Sequence, residues 1–181
     1  MGVEGSAANT YFSVFSQLMT QQKESFPFNG RNRRPPKDAV NAMLSLAYTL
    51  ITNDVSSALE TVGLDPYVGF LHTLRPGRAS LALDMTEELR AYIGDRFVLS
   101  LINRRQINPK DFICQGEQGV TMTDNGRRTF LTAWQNRKKE IMEHPYLNEK
   151  IPVGLIPHAQ AMLLARYVRG DIDDYPVFLI R

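Results

Sequence analysis

Apolar side chains recur at three- and four-residue intervals along most of this chain, a spacing that commits it to helices packed on helices. Ala7, Ala8, Tyr11, Phe12, Phe15, Leu18 and Met19 form one stripe, predicting an amphipathic helix over residues 4–23. FPFNGRNRRPP at 26–36 reads as a basic loop, and Pro35-Pro36 as the start of the next helix. Val40, Met43, Leu44, Ala47, Leu50 and Ile51 line that helix, and Asn53-Asp54 is expected to reset its register before a short helix ending near Gly63. Pro66 opens a short helix carrying His72, which Pro76 and Gly77 break. A long helix is predicted over 81–102, and further helices over 123–141 and 157–169. FICQGEQGVTM at 112–122 reads as a β-hairpin with glycines at its turn. The tail after Gly170, acidic then apolar, either packs or stays mobile. The reading is a mainly α fold, a single helical domain over 1–181 with one small hairpin.

Several function classes are poorly served. With one cysteine, Cys114, the chain can form no internal disulfide and no paired-cysteine zinc motif, which favours a reducing cytoplasm. No apolar run approaches the ~18–20 residues that span a bilayer. The N-terminus lacks the basic flank and apolar stretch of a signal peptide; Met1-Gly2 with Ser6 brushes a myristoylation pattern too short to carry weight. No glycine-rich phosphate loop followed by Lys and Ser/Thr occurs. The net charge of +2 does not announce nucleic-acid binding, but Arg31, Arg33, Arg34 and Lys37 crowd one segment, and Arg127, Arg128, Arg137, Lys138 and Lys139 another. Each cluster is either a solvated face or a phosphate-facing patch.

Three features could carry chemistry. Glu4 opens a helix among small residues, where it either complements the helix dipole or faces a closely approaching ligand. His72 sits in a loop-bounded apolar segment, as a core imidazole or as a ligand. Asp84 and Glu87 share a helix face, with Glu88 one turn beyond Asp84. Taken singly, each has a bland reading. Taken together, carboxylates plus one imidazole suit magnesium or manganese better than zinc, and hard divalent ions serve phosphodiester chemistry. Only a fold can bring Glu4 to His72. His144 and His158 are assigned no role, and Cys114 is read as packing.

At this point the motifs resemble a known family, the CRISPR adaptation integrases. The resemblance runs through VEGSAANTYF at 3–12, NRRPPKDAVNAMLSLAYTL at 32–50, GLDPYVGFLHTLRPGRASLALDMTEELR at 63–90 and DFICQGEQGVTMTDNGRRTFLTAW at 111–134. It implies a magnesium or manganese site held by Glu4 of the EG-x-AA motif, His72 of GFLH and Asp84 of LALD, with Glu87 as an auxiliary ligand. It implies an endonuclease and strand transferase that joins 3′-hydroxyl ends of captured DNA to a repeat array and cleaves branched DNA. Implied partners are double-stranded and branched DNA, a second copy of the integrase, and the small ferredoxin-like second-numbered Cas protein. The RRPP variety is similar to members that also work with a fourth-numbered Cas nuclease. Arg33, Arg34, Arg75 and Arg78 become expected phosphate contacts, and Tyr11, Asn41 and Tyr48 are expected to pack or to hydrogen-bond behind the site. The family's N-terminal β domain has no counterpart in this sequence. Two alternatives stand beside catalysis: a helical DNA-binding module using the basic segments, and a fragment that docks partner proteins.

Overall fold

A computed structural model describes residues 2–180, with side chains from residue 5 onward. Helix α1 (Gly2–Val14) continues as a tighter turn through Leu18. Helices α2 (Ala39–Thr61), α3 (Ser80–Leu89) and α4 (Arg96–Asn103) follow, then hairpin strands β1 (Phe112–Cys114) and β2 (Val120–Met122). Helix α5 (Asp124–Lys139), strands β3 (Ile141–Glu143) and β4 (Lys150–Pro152), and helix α6 (Ile156–Val168) complete the order. The mainly helical class and the 112–122 hairpin stand as the sequence implied.

Four local expectations are corrected. The helix forecast from Pro35-Pro36 begins at Ala39, because the Asp38 carboxylate accepts the Asn41 N–H at 2.8 Å and so caps the helix start. Asn53-Asp54 does not interrupt α2, which runs on to Thr61. The 81–102 run is helical but carries a π turn at Arg90–Asp95 between α3 and α4. Gly94 lies in that turn, where a Cβ would meet the Tyr48 ring at 3.1–3.2 Å. Residues 66–72 form turns and bends, and no helix carries His72. The β3–β4 pair has no signature in the sequence: three residues per strand are too few to display a two-residue alternation.

The chain divides into two compact units. The first takes residues through Ala47 and Asp95–Trp134. Its core is aromatic: buried Phe15 packs against Phe28 with centroids 5.1 Å apart, and Phe97 meets the edges of Phe130 and Trp134, each at 5.1 Å. In its hairpin Cys114 pairs with Val120, and Gly116 and Gly119 take positive φ of 60° and 86° at the turn. The second unit takes Tyr48–Gly94 and everything from Gln135. Its helices α3 and α6 turn Leu81, Met85, Leu89, Leu163 and Leu164 inward. The tail packs, with Phe178 only 3% exposed against the Tyr92 and His144 rings.

Candidate active site

The second unit gathers its polar groups around α3. Asp84 sits on the first turns of that helix, its side chain buried at 7% exposure. The loop before α3 folds back over the carboxylate. Oδ2 accepts the N–H groups of Phe70 at 2.6 Å and Leu71 at 2.9 Å, while Oδ1 accepts the His72 N–H at 3.0 Å and faces His72 Nδ1 at 2.5 Å. A carboxylate offers about four lone-pair positions, and these four donors fill them. Gly69 makes the close wrap possible: a Cβ there would lie 2.7 Å from the Ser80 side chain and 2.8 Å from Asp84 Oδ2.

Burial pushes the Asp84 carboxyl up, but hydrogen bonds from the Leu71 N–H, the His72 ring, and the Phe70 and His72 N–H groups outweigh it, so the pKa lies below its ordinary value. With Asp84 ionised, Nδ1 of His72 is the protonated nitrogen. That leaves Nε2 as the ring atom able to bind a cation, the orientation that a carboxylate behind a histidine ligand enforces.

Glu87 follows one turn after Asp84, paired with Arg90 Nη1 at 2.6 Å, and the Arg90 guanidinium lies over the Tyr48 ring at 5.0 Å. Asp84, Glu87 and Glu88 border a largely apolar cleft of about 340 Å³ whose other walls include Phe70, Leu71 and Tyr175. The structure thus brings together His72 and Asp84, with Glu87 on the same helix. The Glu4 side chain lies outside the described residues. Among the described residues no three His, Cys, Asp or Glu side chains converge.

The basic clusters separate into two kinds. Arg31 is structural: its guanidinium donates to Asn41 Oδ1 at 2.7 Å and Ser45 Oγ at 3.0 Å, and Asn41 also bonds Asp38 and Gly30. Arg137 pairs with Glu140, and Lys138 with Asp54 at 2.8 Å. By contrast Arg33, Arg34 and Arg75 are exposed and Arg78 is half-buried. Tyr11 donates to Asp95 at 2.8 Å, and burial together with that neighbouring carboxylate raises its pKa. Sequence reasoning missed Gln160, Tyr175 and the buried state of His144. Their signal was absent because they meet one another and Glu88 only across 15–87 positions of chain.

A family model described as "CRISPR associated protein Cas1" matches residues 1–136, and the chain belongs to that family. It is 60% identical over 180 residues to the CRISPR-associated endonuclease Cas1 1 of Chlorobaculum tepidum, covering 99% of this chain and 52% of that protein. It is 44% identical to an exonuclease Cas4/endonuclease Cas1 fusion of Rhodospirillum rubrum, covering 100% of this chain and 32% of the fusion. Among solved structures it is similar to a casposase bound to integration product, with TM-score 0.85 and 29% identity over 99% of this chain and 52% of that one. It is also similar to a chain of a Cas6-RT-Cas1–Cas2 complex, with TM-score 0.83 and 26% identity over 99% of this chain and 19% of that one. The chain therefore spans about half the length of the Chlorobaculum relative.

Proposed function

We propose that residues 1–181 form one helical catalytic domain of a metal-dependent DNA strand transferase and endonuclease acting in CRISPR spacer acquisition. One observation carries the reading: the Asp84 carboxylate, which borders the cleft, and the His72 imidazole are held 2.5 Å apart, with Glu87 on the next turn. The donor set of imidazole and carboxylates fits magnesium or manganese, with Glu4, His72 and Asp84 as ligands and Glu87 as an auxiliary one. Bound there, the ion supplies charge stabilisation at the phosphoryl oxygens and activation of a 3′-hydroxyl or water nucleophile.

The residues of the chain do the rest. Asp84 holds the His72 ring by Nδ1, which leaves Nε2 as the nitrogen for a cation. For Asp84 itself to ligate, one of its loop N–H bonds must be exchanged for the cation, since its acceptor positions are filled. Arg33, Arg34, Arg75 and Arg78 hold DNA phosphates against their mutual repulsion.

The similar casposase, bound to integration product, supports DNA as substrate, and the Cas1–Cas2 complex supports the small second-numbered Cas protein as partner. The Cas4/Cas1 fusion supports a fourth-numbered Cas nuclease as a further one, and a second copy completes the set. The proposed setting is the prokaryotic cytoplasm; no described helix is long and apolar enough to cross a membrane.

The test is cleavage and 3′-end joining of branched DNA by the intact protein with manganese. His72→Ala and Asp84→Ala should each remove both activities while the far-UV helical signal is kept. Full activity in either variant would sink the proposal.

A further inference from the structure

Bordering the same cleft is a polar network that the proposed reaction does not use. Glu88 stands one turn beyond Asp84. Its carboxylate accepts the Tyr175 hydroxyl at 2.5 Å, the Phe178 N–H at 2.6 Å and Gln160 Nε2 at 3.2 and 3.3 Å. Gln160 also donates to the Tyr175 oxygen at 2.8 Å, and its Oε1 lies 3.1 Å from His144 Nε2. His144 Nδ1 receives the Tyr146 and Leu147 N–H groups at 3.4 and 3.3 Å, so Nε2 carries the proton. The side-chain bonds therefore run in one direction, from His144 through Gln160 and Tyr175 to Glu88. Gln160 and His144 are wholly buried.

Such a network is an expensive way to fasten a tail. Burying a carboxylate carries a desolvation cost, and apolar replacements of similar volume often serve stability as well or better. Phe178, in its pocket between Tyr92 and His144, already anchors the segment. What the network adds is orientation. Its donors come from α6 and from the tail, and both converge on one side chain of α3, so the helix cannot rotate without breaking them. The same tail places Tyr175 and Val177 in the wall of the cleft that Asp84 and Glu87 border.

We propose that Glu88 and Tyr175 are positioning residues: their bond sets the rotation of α3 and holds Asp84 and Glu87 in the register that a metal ion requires. The proposal rests on the metal reading above. The test is a manganese titration of the chain by calorimetry, run beside Tyr175→Phe, which removes one hydroxyl and keeps the ring. Val55→Ala serves as comparison, since it trims the buried core at α2 within the same unit and removes none of the Glu88 hydrogen bonds. Tyr175→Phe should keep the helical signal and weaken manganese about tenfold, the scale at which groups behind a metal ligand act. In the intact protein its kcat for strand transfer should fall while KM for DNA holds. Val55→Ala should lower the melting temperature and leave manganese affinity unchanged. Wild-type affinity in Tyr175→Phe overturns the proposal, as does an affinity loss that Val55→Ala shares. If the unaltered chain binds no manganese, the metal reading falls and takes this proposal with it.

Discussion

Replacing Asp84 with asparagine should release the loop that covers it, by an amount the hydrogen bonds allow one to work out. Asparagine keeps the shape of the side chain but puts an amide NH₂ where one carboxylate oxygen stood. Either the Phe70 and Leu71 pair or the His72 pair then faces a donor instead of an acceptor. A hydrogen bond to a charged group contributes about 1.5–3 kcal/mol when its partners are buried. Phe70 and Leu71 are 70% and 80% exposed, so water recovers much of what their N–H groups lose. A net loss of about 2 kcal/mol in the free energy of loop opening follows, which corresponds to roughly thirtyfold faster exchange.

The assay is amide hydrogen exchange at residues 70–72, with α2 amides as internal reference. Acid titration adds a second check. The Asp84 pKa lies below its ordinary 3.8, so its contribution is fully present above that value and is lost as pH falls through the lower folded value. Protection in the unaltered chain should therefore persist through the ordinary carboxylate range, and Asp84→Asn should remove that dependence. Less than threefold acceleration at Phe70 and Leu71 would refute the reasoning, because the carboxylate would then not be what holds the loop.

Two further outcomes are expected. Arg33→Ala and Arg34→Ala should each weaken DNA binding by the intact protein and reduce its salt slope by about 0.9 for each phosphate no longer neutralised; Arg31→Ala should instead lower the melting temperature, because its guanidinium ties the 30–37 segment to Asn41 and Ser45. Burial pushes the His144 pKa below its ordinary 6.5, only partly offset by the bond to Gln160, so stability should fall as pH drops from about 6.5 through the lowered folded value. His144→Gln should flatten that part of a pH-dependent melting curve.

The most strongly patterned stretches of the chain are the ones most legible in its sequence. Helices α5 and α6 and the hairpin at 112–122 stand close to where apolar spacing and glycines place them, because those signals are local: a helix face repeats within four residues and a tight turn within two. The GFLH and LALD motifs likewise mark His72 and Asp84, which the structure holds 2.5 Å apart.

Other features depend on partners that spacing cannot supply. Asp38 caps α2 where two prolines promised an earlier start, and α2 continues through Asn53-Asp54. The π turn at Arg90–Asp95 places Gly94 against the Tyr48 ring, far back in the sequence. Arg31 looks like its neighbours Arg33 and Arg34 in a string of letters, yet its guanidinium is committed to Asn41 and Ser45.

From sequence alone came a helical class, a family and the residues of a proposed site. Tertiary structure decided which charges are spent on the fold, how a loop saturates Asp84, and that Glu88 is a half-buried hub. Hydrogen-bond acceptance and desolvation depend on what lies within about 3 Å in space, and those neighbours here are drawn from as far as 90 positions away.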